Sequence, residues 1–310
     1  MVRTILICSG HRSEAGLLQP VMDRILKHPK LQLLILHVNP ENSFGTIYKK
    51  TDEAIKKVKP NIVVVPTDRR EMVPVALAAF YQNIPIAHFL GGAKGVGTHD
   101  DIIRHVISML AHIIFCEDEK AANRLKKMGI EDWRIIISGL TAFDDIDPNK
   151  LDNSLVPNEP YDLVLYHPHS MFPEKIENEL LTIDTIISNS NRLTVWIEPN
   201  KEMGYENRII SFLDRYFGVQ RVMVLKSSIP RLQYLALLKN CKRVIGNSSS
   251  LIFEAPFFNI PVIQIGIRNS EREKPEKIEI GGSDKIVKVL SEIPLDNRLM
   301  RKRIGYYENG

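Results

Sequence analysis

Short apolar runs alternate with amphipathic stretches along almost the whole chain. In the first half, six runs are rich in β-branched residues and nearly continuous, which is typical of parallel strands covered on both faces. These runs lie at 4–9, 33–38, 62–66, 84–89, 112–116 and 134–138. Helical periodicity occupies the intervals between them, at 13–27, 45–58, 70–82, 101–110 and 118–128. This alternation predicts a doubly wound parallel α/β sheet.

The pattern pauses at 145–160, a polar, proline-bearing stretch without periodicity that predicts an interdomain linker. It then resumes with strands at 163–167, 193–198, 221–225, 243–246 and 261–266. Helices alternate with these strands at 173–188, 204–216, 230–239 and 250–258, and a last helical segment covers about 283–305. We therefore predict two Rossmann-like α/β domains facing each other across a cleft. The first covers 1–150, the second covers 160–290, and 291–310 forms a C-terminal helix or tail.

Composition limits the classes of function that we expect for this chain. The chain has 310 residues, 44% of them hydrophobic and 25% charged, as expected for an ordinary two-domain globular protein. Its net charge of +4 suits small anionic ligands and predicts no nucleic-acid partner. The longest apolar region, 73–93, contains two prolines, so we expect no membrane span. Three cysteines without paired spacing predict neither a disulfide framework nor a metal site, and a cytoplasmic location is expected.

Polar side chains follow the strand ends, which is where parallel sheets bind ligands. The stretch "GNSSSLIFEAPFFNIPVIQIG" at 246–266 places three hydroxyls at the start of a predicted helix. Serine there can cap the helix, or the free amides and hydroxyls can bind an anion. A second stretch, "GGAKGVG" at 91–97, predicts a flexible loop that closes over a site.

Several stretches together resemble one family. They are "GHRSEAGLLQPVM", "DRREMVPVALAAFYQNIPIAHFLGG", "THDDIIRHVISMLAHIIFCEDEKAANRL", "YHPHS", "WIEPN" and "GNSSSLIFEAPFFNIPVIQIGIRNSER". In this order they resemble the UDP-N-acetylglucosamine 2-epimerases, most closely the hydrolysing branch of sialic-acid biosynthesis. The resemblance implies a glycosyltransferase-B-like fold, a UDP-sugar substrate, no cofactor and a homodimer.

The resemblance also implies nucleotide-binding residues. Ser248 and Ser249, with the amides of the helix they open, would hold the diphosphate, and Glu254 would accept the ribose hydroxyls. The full implied set is Arg12, His167, Asn200, Ser248, Ser249, Glu254, Arg268 and Arg272.

The implied reaction removes a proton from C2 of the sugar and eliminates UDP, after which water adds to give the manno product. Asp68 and Asp100 match two carboxylates of the family's catalytic set, and Arg104 matches its "IRH" segment. His167 adds a histidine, and carboxylates with a histidine are sufficient for acid–base work.

One stretch departs from the family pattern. Where the family usually shows H-x-E-G-G-E, this chain has Leu90 and Ala93 at the two glutamate positions. His99, beside Asp100, is the nearest candidate for the missing proton transfer, because imidazole titrates near neutrality. Three functions remain open: a hydrolysing UDP-N-acetylglucosamine 2-epimerase, another nucleotide-sugar epimerase or glycosyltransferase of this fold, and a non-catalytic nucleotide-sugar-binding paralogue.

Overall fold

The computed structural model describes residues 2–10, 12–95, 99–168, 172–199, 204–216, 218–219, 221–226, 229–270, 273 and 280–305, without the side chains of residues 12–15. The chain divides into two compact units. The first takes Met1–Lys94, Asp100–Ile146 and Lys277–Gly310, and the second takes Gly95–His99 and Asp147–Glu276. The predicted pair of parallel-sheet α/β domains is confirmed.

The first sheet has six parallel strands in the described chain, in the order β2-β1-β3-β4-β5-β6. The elements are β1 (Arg3–Ser9), α1 (Arg12–Lys27), β2 (Leu31–His37), α2 (Phe44–Val58), β3 (Ile62–Pro66), α3 (Met72–Tyr81), β4 (Ile86–Phe89), α4 (His99–Leu110), β5 (Ile113–Cys116), α5 (Glu119–Lys127) and β6 (Ile135–Ile137). The strand order reverses between β1 and β3, so a crevice is expected at the carboxyl ends of these two strands. Ser9 and Thr67 lie at those ends.

Local sequence explains where these helices begin. Ser43 accepts a hydrogen bond from the Thr46 amide at the start of α2. Asp118 does the same for the Ala121 amide at the start of α5, at 2.8 Å. Such caps satisfy amides that a first helical turn leaves without partners.

The second sheet has five parallel strands in the described chain, in the order β11-β10-β7-β8-β9. Its elements are β7 (Tyr161–Leu165), α6 (Ile176–Ser188), β8 (Leu193–Ile197), α7 (Glu206–Leu213), β9 (Val222–Leu225), α8 (Arg231–Asn240), β10 (Arg243–Gly246), α9 (Ser250–Phe257) and β11 (Val262–Gln264). Alternate residues of β7 enter separate apolar clusters, Leu163 on one face and Val164 on the other. Both faces are therefore covered, as the continuous apolar runs predicted. The strand order reverses between β7 and β10.

The end of the chain corrects the predicted domain boundary. Helices α10 (Gly282–Glu292) and α11 (Asn297–Met300) replace the single predicted segment, and α10 packs on α1 of the first unit. Asp144 accepts hydrogen bonds from the amides of Gly281 and Ser283, both at 2.6 Å, and so fixes the start of α10. The prediction that residues up to 290 belong to the second domain is therefore wrong for α10.

Two buried cations hold the last described residues to the first unit. The Arg134 guanidinium is fully buried and donates to the carbonyls of His112, Leu299, Arg298 and Arg301. The Lys302 ammonium donates to three carbonyls at the end of α4, at 2.7–2.9 Å. These bonds satisfy carbonyls that a helix C-terminus leaves without partners.

None of the helices in the described part of the chain combines the length and the apolar character needed to cross a bilayer.

Candidate functional site

The first unit brings Asp68 and Arg104 together at the carboxyl ends of β3 and β4. Arg104 lies on α4, is 7% exposed, and its Nη2 donates to Asp68 Oδ2. Its Nη1 donates to the Leu90 carbonyl at 2.8 Å. One guanidinium therefore connects two strand ends and holds a carboxylate through a charge-assisted hydrogen bond.

Both strand ends bend through a left-handed residue. Thr67 follows β3 with φ +49°, and Leu90 follows β4 with φ +59°. Left-handed backbone costs a residue with a side chain about 1–2 kcal/mol, so other contacts have to fix it. The Leu90 carbonyl is held by Arg104, and the Thr67 carbonyl lies 2.6 Å from Nε2 of His88.

The two positions that depart from the family pattern are buried and apolar. Leu90 is 9% exposed and Ala93 is 6% exposed. These two positions supply no carboxylate, so any acid–base chemistry needs other groups.

Two further predicted groups lie on the first turn of α4. His99 is exposed, while Asp100 is partly buried and lies one turn before Arg104 on the same helix face. The structure thus places Asp68, Asp100 and Arg104 along one region of the first unit.

Two glycines of the "GGAKGVG" stretch have a role other than the predicted flexibility. A side chain on Gly91 would come within 2.8 Å of His88 Nδ1 and 2.9 Å of Ser108 Oγ. A Cβ on Gly92, which has φ +77°, would lie 2.7 Å from the Ala121 carbonyl. Close packing therefore requires glycine at both positions. Residues 96–98 of the stretch lie outside the described residues.

In the second unit, Asn247 holds the backbone of His167. Its Oδ1 accepts from the His167 amide at 2.7 Å, and its Nδ2 donates to the His167 carbonyl at 2.9 Å. Asn269 in turn donates to the carbonyls of Asn247 and Ser248, each at 2.9 Å. The ends of β7 and β10 are therefore joined at the switch point of this sheet.

Ser248 and Ser249 differ in the hydrogen bonds that their side chains make. Ser248 is buried and its Oγ accepts from the Ser250 amide at 3.3 Å, which is a capping role. Ser249 is the residue before α9 and makes no side-chain cap bond. Gly246, with φ +141°, precedes them where a Cβ would collide with the Leu165 carbonyl. Ser248 therefore has the capping role, and anion binding by this stretch stays a prediction.

Glu254 is 8% exposed and both of its carboxylate oxygens have partners on α8. Arg231 donates to Oε1 at 2.8 Å, and the Tyr234 hydroxyl donates to Oε2 at 3.1 Å. Burial, together with the charge of Glu254, raises the pKa of Tyr234 well above its usual value. The hydroxyl therefore stays a donor, and each carboxylate oxygen keeps a lone pair for a ligand.

The other predicted binding residues are less fully described. Arg268 is partly buried, one residue before Asn269. The backbone of Arg12 opens α1, but its side chain lies outside the described part. Asn200 and Arg272 also lie outside the described residues.

The comparison with known proteins decides the family. The family model for UDP-N-acetylglucosamine 2-epimerases matches residues 1–309. The chain belongs to this family. The predicted resemblance is confirmed.

Curated members of the family are similar at modest identity. The UDP-N,N'-diacetylbacillosamine 2-epimerase (hydrolyzing) of Legionella pneumophila is 26% identical, over 90% of this chain and 85% of that protein. The GDP/UDP-N,N'-diacetylbacillosamine 2-epimerase (hydrolyzing) of Campylobacter jejuni is 29% identical, over 89% of this chain and 83% of the relative.

Among solved structures, the UDP-GlcNAc 2-epimerase from Neisseria meningitidis bound to UDP-GlcNAc superposes with a TM-score of 0.75. It is 19% identical and covers 93% of this chain and 90% of its own. The likeness establishes a shared fold between this family member and that enzyme.

Sequence reasoning missed several residues that this epimerase-family chain places at the strand ends. His88 and Asn247 are fully buried, and each holds a strand-end carbonyl. Glu71 is 2% exposed, and a Cβ on Gly10 would lie 3.0 Å from its Oε1. Each lies within or beside a stretch already singled out, but only the fold shows that these polar side chains point inward.

Proposed function

We propose that the chain is a hydrolysing 2-epimerase that converts UDP-N-acetylglucosamine and water to N-acetylmannosamine and UDP. The observation that carries the proposal is the Asp68 carboxylate held by Arg104 at the carboxyl edge of the first sheet. Family membership supports 2-epimerisation of a UDP-sugar, and the two relatives named as hydrolysing support the hydrolysing reaction type.

In the proposed reaction a base removes the proton from C2 while the C1–O bond to UDP breaks. The electron pair of the C2–H bond forms the C1=C2 double bond, and UDP leaves with the C1–O pair. Water then adds its oxygen to C1, and a proton returns to C2 on the opposite face. Asp68 and Asp100 are the groups proposed to move these protons, with Arg104 holding Asp68 in place.

Leaving-group stabilisation has to supply much of the rate, because a C2–H bond is a poor acid. Negative charge develops on the diphosphate as it departs, so fixed donors aimed at it are the effective catalysts. The second unit offers His167, Ser249 and the amides that open α9. We propose these groups for the diphosphate and Glu254 for the ribose.

Another substrate of the same reaction type is also favoured by a specific observation. Two of the similar relatives are named for UDP-N,N'-diacetylbacillosamine.

The test is incubation with either UDP-sugar in deuterated water, followed by mass and proton spectra. Deuterium at C2 together with released UDP is the expected result, and Asp68→Asn should reduce it at least 100-fold. Deuterium in a sugar still attached to UDP would establish the non-hydrolysing reaction instead. Intact sugars with measurable UDP binding would contradict both enzyme proposals and favour the non-catalytic binder.

The oligomeric state and the cellular location stay predictions. The homodimer implied by the family resemblance would be tested by sedimentation velocity. The cytoplasmic location would be tested by fractionation of the native cells.

A further inference from the structure

The His88 imidazole occupies the interior between the ends of β3 and β4. Its side chain is fully buried and both ring nitrogens face polar atoms of other elements. Nε2 lies 2.6 Å from the Thr67 carbonyl, and Nδ1 lies 2.9 Å from Ser108 Oγ on α4. Neither the family's implied site nor the reaction proposed above uses this residue.

The partners fix the protonation of the ring. A carbonyl oxygen only accepts, so Nε2 must carry the hydrogen, and Nδ1 then accepts from the Ser108 hydroxyl. Burial lowers the pKa of His88 to about 4, which keeps the ring neutral at pH 7. The ring is therefore a single tautomer, and its donor points at the backbone of Thr67.

The bond to Thr67 acts on Asp68. The Thr67 carbonyl belongs to the peptide bond that joins Thr67 to Asp68, so holding it fixes the plane from which the Asp68 side chain starts. Thr67 itself is left-handed, a conformation that persists only where neighbours impose it. Arg104 binds the carboxylate of Asp68, at the other end of that residue.

Helix α4 supplies both of the side chains that hold Asp68 and His88. Arg104 and Ser108 are four residues apart on α4 and so lie on the same face. Arg104 holds the Asp68 carboxylate directly, and Ser108 holds the imidazole that holds the preceding carbonyl. Gly91 leaves the space for this pair, since a side chain there would come within 3 Å of both His88 Nδ1 and Ser108 Oγ.

We propose that His88 is a positioning residue for turnover: through the Thr67 carbonyl, and braced by Ser108, it sets the place of the Asp68 carboxylate. This inference rests on the proposed catalytic role of Asp68. His88 is buried away from any ligand, so its effect on the reaction passes entirely through the backbone.

The experiment compares two amide substitutions of His88, each of which keeps a hydrogen-bonding group at the position of one ring nitrogen. In His88→Gln the amide nitrogen reaches the position of Nε2 and can still donate to Thr67. In His88→Asn the amide reaches only the position of Nδ1. The surface variant His28→Asn is the matched control, because its Nδ1 accepts from the Lys30 amide and asparagine can replace that acceptor.

We expect His88→Asn to lower kcat about 10–100-fold, since a misplacement of about 1 Å in a reacting group costs up to about 100-fold. The Kd for UDP should stay within about twofold, and His88→Gln should restore most of kcat. A structural defect alone would raise KM and the Kd for UDP and lower kcat in both variants, and it would show no such rescue. His28→Asn should match the unsubstituted protein.

Three results separate the proposals. Wild-type kcat in His88→Asn, with Asp68→Asn inactive, would overturn the positioning role and leave the proposed reaction intact. Full turnover in Asp68→Asn would instead overturn the role of Asp68. The ¹⁵N shifts of the His88 ring in the unsubstituted protein decide the matter even if His88→Asn fails to fold. A proton on Nε2 at pH 7 supports the proposal, and a proton on Nδ1 would overturn it.

Discussion

Glu254 has two tasks, because it is bound by α8 and is also proposed to bind the ribose. Arg231 and Tyr234 orient its carboxylate before any ligand arrives. Preorganisation of this kind reduces the entropy lost on binding.

Glu254→Gln should therefore weaken UDP binding while keeping the side-chain shape. A hydrogen bond to a charged acceptor contributes about 1.5–3 kcal/mol, which corresponds to a Kd raised about 10–150-fold in calorimetric titration. Glu177→Gln, which removes the charge from an exposed Glu177–Arg208 pair, is the control and should leave the Kd unchanged. An unchanged Kd in Glu254→Gln would remove this residue from the nucleotide site.

His112 should make the folded protein sensitive to mild acid. Its Nδ1 accepts from the Ile86 amide at 3.1 Å, and burial lowers its pKa to about 4. In an unfolded chain a histidine has a pKa near 6.5, so below that pH the unfolded state binds the extra proton. Stability is therefore complete above about pH 7 and falls as the pH drops from about 6.5 toward 4.

Urea unfolding at pH 7 and pH 5 checks this prediction. We expect His112 to account for a loss of about 1–2 kcal/mol between the two values. His112→Asn, whose side-chain oxygen can accept from the same amide, should show a smaller loss. His37→Asn removes an exposed imidazole and should keep the wild-type pH dependence. Equal losses in all three proteins would contradict the assignment.

At the level of single residues, the sequence predicted where polar groups follow strands but not how they pair. Asp68 and Arg104 were both expected at the site, and the fold shows their contact. Nothing in the spacing indicates that Asn247 binds the His167 backbone on both sides. Such pairings depend on which strands are neighbours in the sheet, and that order is a tertiary property.

Among the elements, α4 depends on a residue far away in the sequence. Lys302 donates to three carbonyls at its C-terminus, and α4 carries Arg104 and Ser108. The ammonium replaces the water that an exposed helix end would bind.

Lys302→Met should destabilise the protein by about 2–4 kcal/mol, because three buried carbonyls lose their donor. Chemical denaturation measures the loss, and hydrogen exchange should show faster exchange in the last turn of α4. Lys288→Met, at an exposed position of α10, is the matched control and should change stability little. If both variants unfold at the same denaturant concentration as the unsubstituted protein, Lys302 does not support α4.

Periodicity predicted most elements within a few residues. The six strands of the first sheet and the helices between them match the expected runs, because both faces of the sheet are covered and the apolar runs are continuous. The last segment was predicted less well, since α10 and α11 are separate helices. Pro294 interrupts the periodic pattern between them, but periodicity alone does not show which unit the segment packs on.

Across the whole molecule, Asp144 fixes the point where the chain re-enters the first unit. It binds the amides of Gly281 and Ser283, a cap supplied from a distant part of the sequence. A carboxylate there also interacts favourably with the positive end of the helix dipole.

Asp144→Ala should lower the unfolding free energy by about 1–2 kcal/mol, the usual cost of a lost cap. Exchange of the α10 amides should accelerate more than exchange in the second sheet. Asp132→Ala breaks an exposed pair with Lys126 and should cost less than about 1 kcal/mol. Equal protection of α10 in both variants would show that the cap does not hold this helix.

The return of α10 and α11 to the first unit also bears on how the chain folds as it is made. Most of the second unit, Asp147–Glu276, is one continuous segment between two pieces of the first unit, so it can collapse once it has been synthesised. The first unit is complete only when the residues that bind Arg134 and the end of α4 have been made, and these follow the second unit in the sequence. Domains usually fold in the order of synthesis. We expect this chain to reverse the order, with the first unit completed after the second.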